Sequence, residues 1–223
     1  MHTKTTLIFD LDGTLIHSAP DLHAALNAAL YPLERGPLDL TRVISFIGNG
    51  VEKLVERGLI ATGGSNAALH RATLDRFLDV YTANGVALTK PYNGVLAQLG
   101  GLKDRRVTLG LCTNKPQAPT NQICDALGIS TFFDSIVGAT PDLPRKPDPA
   151  MLHKTIADLG AQPQDVIYVG DSLIDHNTAR AAGVEFWLYT QGYLNAPLPN
   201  DGCAHRFDHW ADPDLFAAVG PKG

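Results

Sequence analysis

Two aspartates one residue apart, Asp10 and Asp12, stand directly behind a short apolar run, Leu7-Ile8-Phe9, and are followed by Gly13 and Thr14. A run of this kind reads as a strand buried on both faces of a parallel sheet. Carboxylates just past a buried strand are costly if unpaired, so they call for a cation or a basic side chain. Residues i and i+2 of an extended chain point to one side, so both carboxylates can face one cleft. The carboxyl end of a strand is also where open α/β sheets bind ligands. Asp and Gly form plain polar turns as well, and this segment alone does not separate the two readings. An EF-hand loop is excluded, since it wants a third ligand residue before the glycine and a glutamate at position 12. Three more short apolar runs end in groups suited to phosphate and metal chemistry. They are Leu111-Cys112-Thr113-Asn114, Arg145-Lys146-Pro147-Asp148-Pro149, and Val169-Gly170-Asp171-Ser172 followed by Asp175.

In this order the four segments resemble those of the haloacid-dehalogenase-like phosphohydrolases, and the resemblance covers essentially the whole chain. It implies that Asp10 is a nucleophile that attacks phosphorus and forms an aspartyl-phosphate, splitting hydrolysis into two easier steps. Asp12 is then the general acid that protonates the leaving alkoxide and the general base that activates water. Dehalogenases and P-type ATPases of this superfamily lack an aspartate at the second position, so Asp12 favours phosphate ester hydrolysis. A phosphate dianion and an anionic nucleophile repel unless positive charge lies between them, which suits Mg²⁺. By resemblance its ligands are the Asp10 side chain, the Asp12 backbone carbonyl and Asp171. Asp175, one helical turn beyond Asp171, is expected to hold a metal-bound water or Lys146. Without the other motifs, Gly170-Asp171-Ser172 would read as a helix N-cap. Thr113 and Asn114 are expected to hold phosphate oxygens through a hydroxyl and backbone amides. Lys146 supplies positive charge in a loop stiffened by Pro147 and Pro149; taken alone it would read as a surface lysine. Cys112 is a small buried residue with no chemical role. His17 stands where many relatives carry aspartate. It is expected to pack at a hinge, so that exchanging it for Asp leaves the pH profile nearly unchanged.

Behind these residues lie two kinds of chain. Leu22, Ala25, Leu26, Ala29, Leu30 and Leu33 follow helical spacing, with Ser18 as cap, Asp21 completing an approximate capping box, and Pro20 in the first turn. Further helices are predicted over about 39–46 and 51–60, and around Leu74, Phe77, Leu78 and Tyr81, separated by Gly48-Asn49-Gly50 and Gly63-Gly64. From Ser18 to about Thr89 no strand is predicted. Beyond it, strands over 106–112, 135–138, 166–170 and 185–189 alternate with helices around 94–99, 118–127, 150–159 and 174–182. This alternation predicts an α/β fold, a doubly wound parallel sheet with helices on both faces. The first strand belongs to that sheet, so the economical layout is a core of residues 1–17 and 90–223 with a helical cap, residues 18–89, inserted after strand one. The resemblance implies the same layout, with a C1 cap. A cap that closes over the site and excludes water is expected of it. In the tail, about 195–202 reads as loop, 205–208 as a short edge strand and 213–219 as a final helix.

The chain has 223 residues, 44% hydrophobic and 18% charged, an ordinary globular balance. A net charge of −5 argues against a nucleic-acid surface. No apolar run approaches the ~20 residues that span a bilayer. Cys112, Cys124 and Cys203 are odd in number and lack CxxC spacing, so they read as reduced thiols of a cytoplasmic protein. The first residues lead straight into strand one, with no room for a signal peptide.

The core motifs carry the reaction class, and the leaving group is a matter for the cap. Phe46-Ile47-Gly48-Asn49-Gly50-Val51-Glu52-Lys53-Leu54-Val55-Glu56-Arg57 resembles the cap segment of bacterial phosphoglycolate phosphatases. So do Ser18-Ala19-Pro20-Asp21-Leu22, Lys90-Pro91-Tyr92-Asn93-Gly94-Val95 and Gln191-Gly192-Tyr193. Gly48, Asn49 and Gly50 would let backbone amides at a helix start face the site, suiting the carboxylate of a small phosphorylated acid. Lys53 and Arg57 are candidate helpers, though such residues are more often exposed helix charges. A lone Gly-x-Gly does not make a dinucleotide site, since a third glycine and a preceding strand are missing. Phosphatases for sugar phosphates, nucleotides or pyrophosphate share the core motifs. A phosphomutase shares them too, and would betray itself by slow hydrolysis of its aspartyl-phosphate. A catalytically silent phosphate-binding module would not need Asp12.

Overall fold

Strand β1, Thr6–Phe9, has no exposed side chain, because the sheet is covered on both faces. Leu7 and Phe9 pack with Leu109, Leu111, Ile167 and Val169 on one face, and Ile8 packs with Cys112, Tyr168 and Leu188 on the other. That two-sided burial is why the strand reads as an unbroken apolar run rather than an alternating one. The computed structural model describes residues 4–84, 86–194, 196–199 and 202–220. The chain continues through β2 (Ile16–His17), α1 (Ala19–Leu30), α2 (Leu40–Ile44), α3 (Val51–Ala61), α4 (Ala67–Asn84) and β3 (Lys90–Pro91). It then alternates as α5 (Val95–Asp104), β4 (Thr108–Pro116), α6 (Gln117–Ala126), β5 (Ser135–Ala139), α7 (Ala150–Asp158), β6 (Val166–Gly170), α8 (Leu173–Ala182) and β7 (Glu185–Tyr189). A last strand, β8 (His205–Phe207), follows.

Six strands form one parallel sheet in the order β5-β4-β1-β6-β7-β8. This is the α/β doubly wound arrangement predicted from the alternation. β1 pairs with β4 on one side and β6 on the other, which brings the ends of the motif-bearing strands side by side. Helices α1–α4 form the insertion between β1 and the rest of the sheet. Leu22, Ala25, Leu26, Ala29 and Leu30 of α1 are buried as the spacing predicts, with Phe77 and Tyr81 of α4 in the same apolar core. Among the described residues no helix is long and apolar enough to cross a membrane.

The insertion is joined to the core by a two-stranded antiparallel ribbon, β2 with β3, which flanks residues 18–89; among the described residues of that stretch no strand forms, as predicted. Two residues per strand are too few to leave a periodic signal. Three expectations are corrected. β4 runs to Pro116 instead of ending at Cys112, so Thr113 and Asn114 lie within it. The capping box at Ser18 does not form. Ser18 already has helical dihedrals and makes no side-chain cap. Asp21 instead accepts bonds from the amides of Leu88 and Thr89 and from Thr89 Oγ1, at 2.6–3.1 Å, and so ties the returning chain to α1. Residues 213–219 form successive turns with i→i+3 bonds, not a helix. Gln98 donates to the Asp212 carbonyl and Arg105 to that of Phe216, while the Gly220 amide turns to Lys4. The loop expected over about 195–202 lies partly outside the described residues, at 195, 200 and 201, as do residues 1–3.

Candidate active site

The site lies at the carboxyl ends of β4, β1 and β6, where the strand order reverses and open α/β sheets hold their ligands. Asp10 follows β1, its amide donating to Val169 O at 2.9 Å. Asp171 follows β6. Asp175 lies in the first turn of α8, where it and Ser172 form a capping box. Asp10, Asp171 and Asp175 are all buried, with carboxylate oxygens within 4.8 Å of one another. Lys146, from the β5–α7 loop, puts its ammonium 2.9 Å from Asp10 and 2.6 Å from Asp175, with Tyr168 Oη at 2.8 Å. Of the two partners expected for Asp175, the side chain therefore takes Lys146. Asp171 accepts from Thr14 Oγ1 at 2.7 Å and from the Tyr193 amide at 2.6 Å. The chain closes tightly round it, since a Cβ on Gly13 or Gly192 would overlap the Asp171 carboxylate.

This cluster is short of positive charge. Burial pushes the Asp10 carboxyl up to about 6, with Lys146 opposing and Asp175 adding to the rise. Burial, then Asp175 and Asp10, hold Asp171 well above the carboxylate range. Burial alone would lower Lys146, yet Asp10 and Asp175 keep it above its ordinary value. Asp10 Oδ1 is buried and receives no aligned hydrogen bond. Three buried carboxylates facing one ammonium, with an unbonded carboxylate oxygen among them, are a donor set that fits a hard divalent cation.

Asp12 stands apart from this cluster. Both its oxygens lie 3.2 Å from the ammonium of Lys115, which also donates to Tyr81 Oη of α4 at 2.8 Å. Lys115 was not picked out from the sequence, although the signal was present: on extended β4 it follows Thr113 by two residues and so shares its side. Burial opposes its charge, but Asp12 and Tyr81 hold its pKa above the usual lysine value. Tyr81 was read only as an inward-facing helix residue, because a contact between α4 and β4 leaves no local pattern.

The cleft between core and insertion is lined by Asp10, Asp12, Thr113, Lys115 and Lys146 below and by Leu22, Ile47, Val51 and Leu54 above. Asn114 also reaches it, and its side chain makes contacts of its own. It donates to Gly48 O and Lys146 O, both at 3.0 Å, and accepts from the Lys146 amide at 2.9 Å. It thus clamps the lysine loop to the insertion. Gly48 and Gly50 line the cleft, each with a positive φ that glycine permits. The Asn49 side chain is instead held by Arg57 at 2.7 Å, and Arg57 also caps Phe46 O at 2.8 Å. Arg57 braces the glycine loop, while Lys53 pairs with Glu56 on the exposed face of α3. Arg145 makes a two-pronged ion pair with Glu52, a second link between core and insertion.

His17 sits on the β2–β3 ribbon, half-buried, with Nδ1 3.0 Å from Tyr193 Oη and its ring beside those of Tyr92 and Tyr193. Burial lowers its pKa, so the folded protein holds it neutral from about its ordinary pKa upward. Exchanging His17 for Asp is therefore expected to leave the pH profile of kcat/KM unchanged between about pH 6.5 and 8. A new limb in that window would overturn the packing role.

A parallel sheet that gathers acidic, hydroxyl and lysine side chains at one edge under a helical insertion defines a phosphoryl-transfer class of α/β protein. The sequence matches the haloacid dehalogenase-like hydrolase family over residues 7–189, and the chain belongs to that family. It is 44% identical over 214 residues to a phosphoglycolate phosphatase of Cereibacter sphaeroides, covering 94% of this chain and 96% of that one. It is 39% identical to a phosphoglycolate phosphatase of Rhodospirillum rubrum, over 92% and 87% of the two chains. The crystal structure of a predicted phosphoglycolate phosphatase from Haemophilus somnus matches with a TM-score of 0.90 at 28% identity, covering 97% and 98%.

Proposed function

We propose that the chain is a phosphoglycolate phosphatase, hydrolysing 2-phosphoglycolate to glycolate and inorganic phosphate. The observation that carries the chemistry is the pairing of two carboxylates with different surroundings, Asp10 against Lys146 and Asp12 against Lys115. The substrate name is supported by the relatives at 39–44% identity over nearly the whole chain.

The Asp10 carboxylate attacks phosphorus while the ester oxygen departs with a proton from Asp12, giving glycolate and an aspartyl-phosphate. Asp12 then takes a proton from water as that water attacks phosphorus, releasing phosphate and restoring both aspartates. Lys146 and Thr113 hold the phosphoryl oxygens against developing charge. Asp10, Asp171 and the Asp12 carbonyl would hold Mg²⁺, which supplies positive charge between nucleophile and phosphate. Residues 18–89 act as a cap over the core formed by 1–17 and 90–223, and the apolar side chains of Leu22, Ile47, Val51 and Leu54 shield the cleft from water. The protein acts in the cytoplasm on a small phosphorylated metabolite. Its three cysteines are free thiols, and burial pushes Cys112 and Cys124 up to about 12, which keeps both unreactive.

The test is kcat/KM with Mg²⁺ for 2-phosphoglycolate beside sugar phosphates, nucleotides and pyrophosphate. Phosphoglycolate is expected to lead by tenfold or more, about 1.4 kcal/mol of transition-state discrimination. Another ester in the lead would remove the substrate name, and a slowly hydrolysed aspartyl-phosphate would point to a mutase. Removing divalent cations with a chelator is expected to cut turnover on the order of a hundredfold or more, with recovery on adding Mg²⁺. Turnover that survives chelation would remove the metal.

A further inference from the structure

Only two cationic side chains line the cleft among the described residues, Lys146 and Lys115. An ammonium has three protons to donate. Lys146 donates to Asp175 and Tyr168 and stands 2.9 Å from Asp10, so it is held by the carboxylate cluster. Lys115 donates to Tyr81 Oη and to the two oxygens of a single carboxylate, Asp12. Its approach to Asp12, at 3.2 Å to each oxygen, is longer than the ~2.7–2.9 Å of a strong charge-assisted bond. A buried ammonium that faces the cleft and meets its one carboxylate only at this length can turn part of its charge to a second anion.

We propose that Lys115 is a specificity-determining residue whose ammonium binds a second anionic group on the substrate, a carboxylate one carbon away from the ester oxygen. This rests on the phosphatase reading above and adds the group that selects the leaving alcohol. An ester oxygen hydrogen-bonded to Asp12 lies within about 6 Å of Lys115 Nζ. A carboxylate one carbon from that oxygen reaches the ammonium across such a gap. A longer leaving group would carry its charge past Lys115 towards the apolar side chains of Leu22, Ile47, Val51 and Leu54. A neutral leaving group would bring the ammonium no charge to pair with. The arginines near the glycine loop are already engaged, Arg57 with Phe46 and Asn49 and Arg145 with Glu52.

The experiment compares kcat/KM for 2-phosphoglycolate and for ethyl phosphate, which lacks the carboxylate, in wild type, Lys115→Met and Lys115→Gln. The readout is the ratio of the two values, which cancels any effect that Lys115 exerts on both esters through Asp12. Lys115→Gln keeps donors for Asp12 and Tyr81 and carries the test where Met impairs folding. In wild type the ratio is expected to exceed tenfold, and in the variants to fall at least tenfold towards unity. A ratio that stays at its wild-type value while both activities fall together would overturn the proposal and make Lys115 a positioning residue for Asp12, with the phosphoglycolate reading intact. A wild-type ratio near unity would overturn both.

Discussion

Asp10→Asn is expected to abolish hydrolysis of every ester the protein turns over, by a factor on the order of 10⁴ or more in kcat. The amide has nearly the shape of the carboxylate, and Lys146 keeps its contacts to Asp175 and Tyr168. The surrounding site therefore survives, and what is lost is the atom that forms the bond to phosphorus. Phosphate release assayed beside a thermal melt and a far-ultraviolet spectrum separates this from unfolding. Turnover within tenfold of wild type in a folded variant would remove Asp10 from the bond-forming step, and the aspartyl-phosphate with it. Turnover in the wild type that disappears in this variant also excludes a silent phosphate-binding module.

Asp12→Asn is expected to lower kcat for alkyl phosphates by about 10² to 10⁴ and to separate the two half-reactions. Nitrophenolate leaves without protonation, so p-nitrophenyl phosphate should still phosphorylate Asp10 in this variant. Hydrolysis of the aspartyl-phosphate then lacks its base. Rapid mixing should show a burst of about one nitrophenolate per active site followed by a slow steady state. The asparagine carbonyl can still accept from Lys115, so the lysine is not left unpaired. A variant that loses aryl and alkyl esters alike, with no burst, would show that Asp12 does something other than carry protons.

These predictions draw on residues of two kinds. Asp10, Asp12 and Asp171 could be read from the chain because each stands at the end of a short apolar run, and Lys146 because its Pro-rich segment falls between those runs in a set order. The same local signals place β1, β6 and β7 within the predicted ranges, along with the buried face of α1. Burial on both faces of a sheet, or on one stripe of a helix, leaves its period in the sequence itself.

Other features depend on partners distant in sequence. Asn114 reads as a phosphate ligand through its backbone amide, and nothing local shows that its side chain joins Gly48 and Lys146, 66 and 32 residues away. Asp21 reads as half of a capping box until Thr89, 68 residues on, brings it stronger donors. Lys115 gains a role only when folding sets it between Asp12 and Tyr81, 103 and 34 residues distant. By itself the sequence determined the α/β sheet, the helical insertion and the acidic and basic groups at the strand ends, because those follow from periodicity and position along an element. Only the tertiary structure decided which polar side chain meets which. A donor or carboxylate pairs with whatever folding brings within hydrogen-bond reach, and no local repeat records that choice.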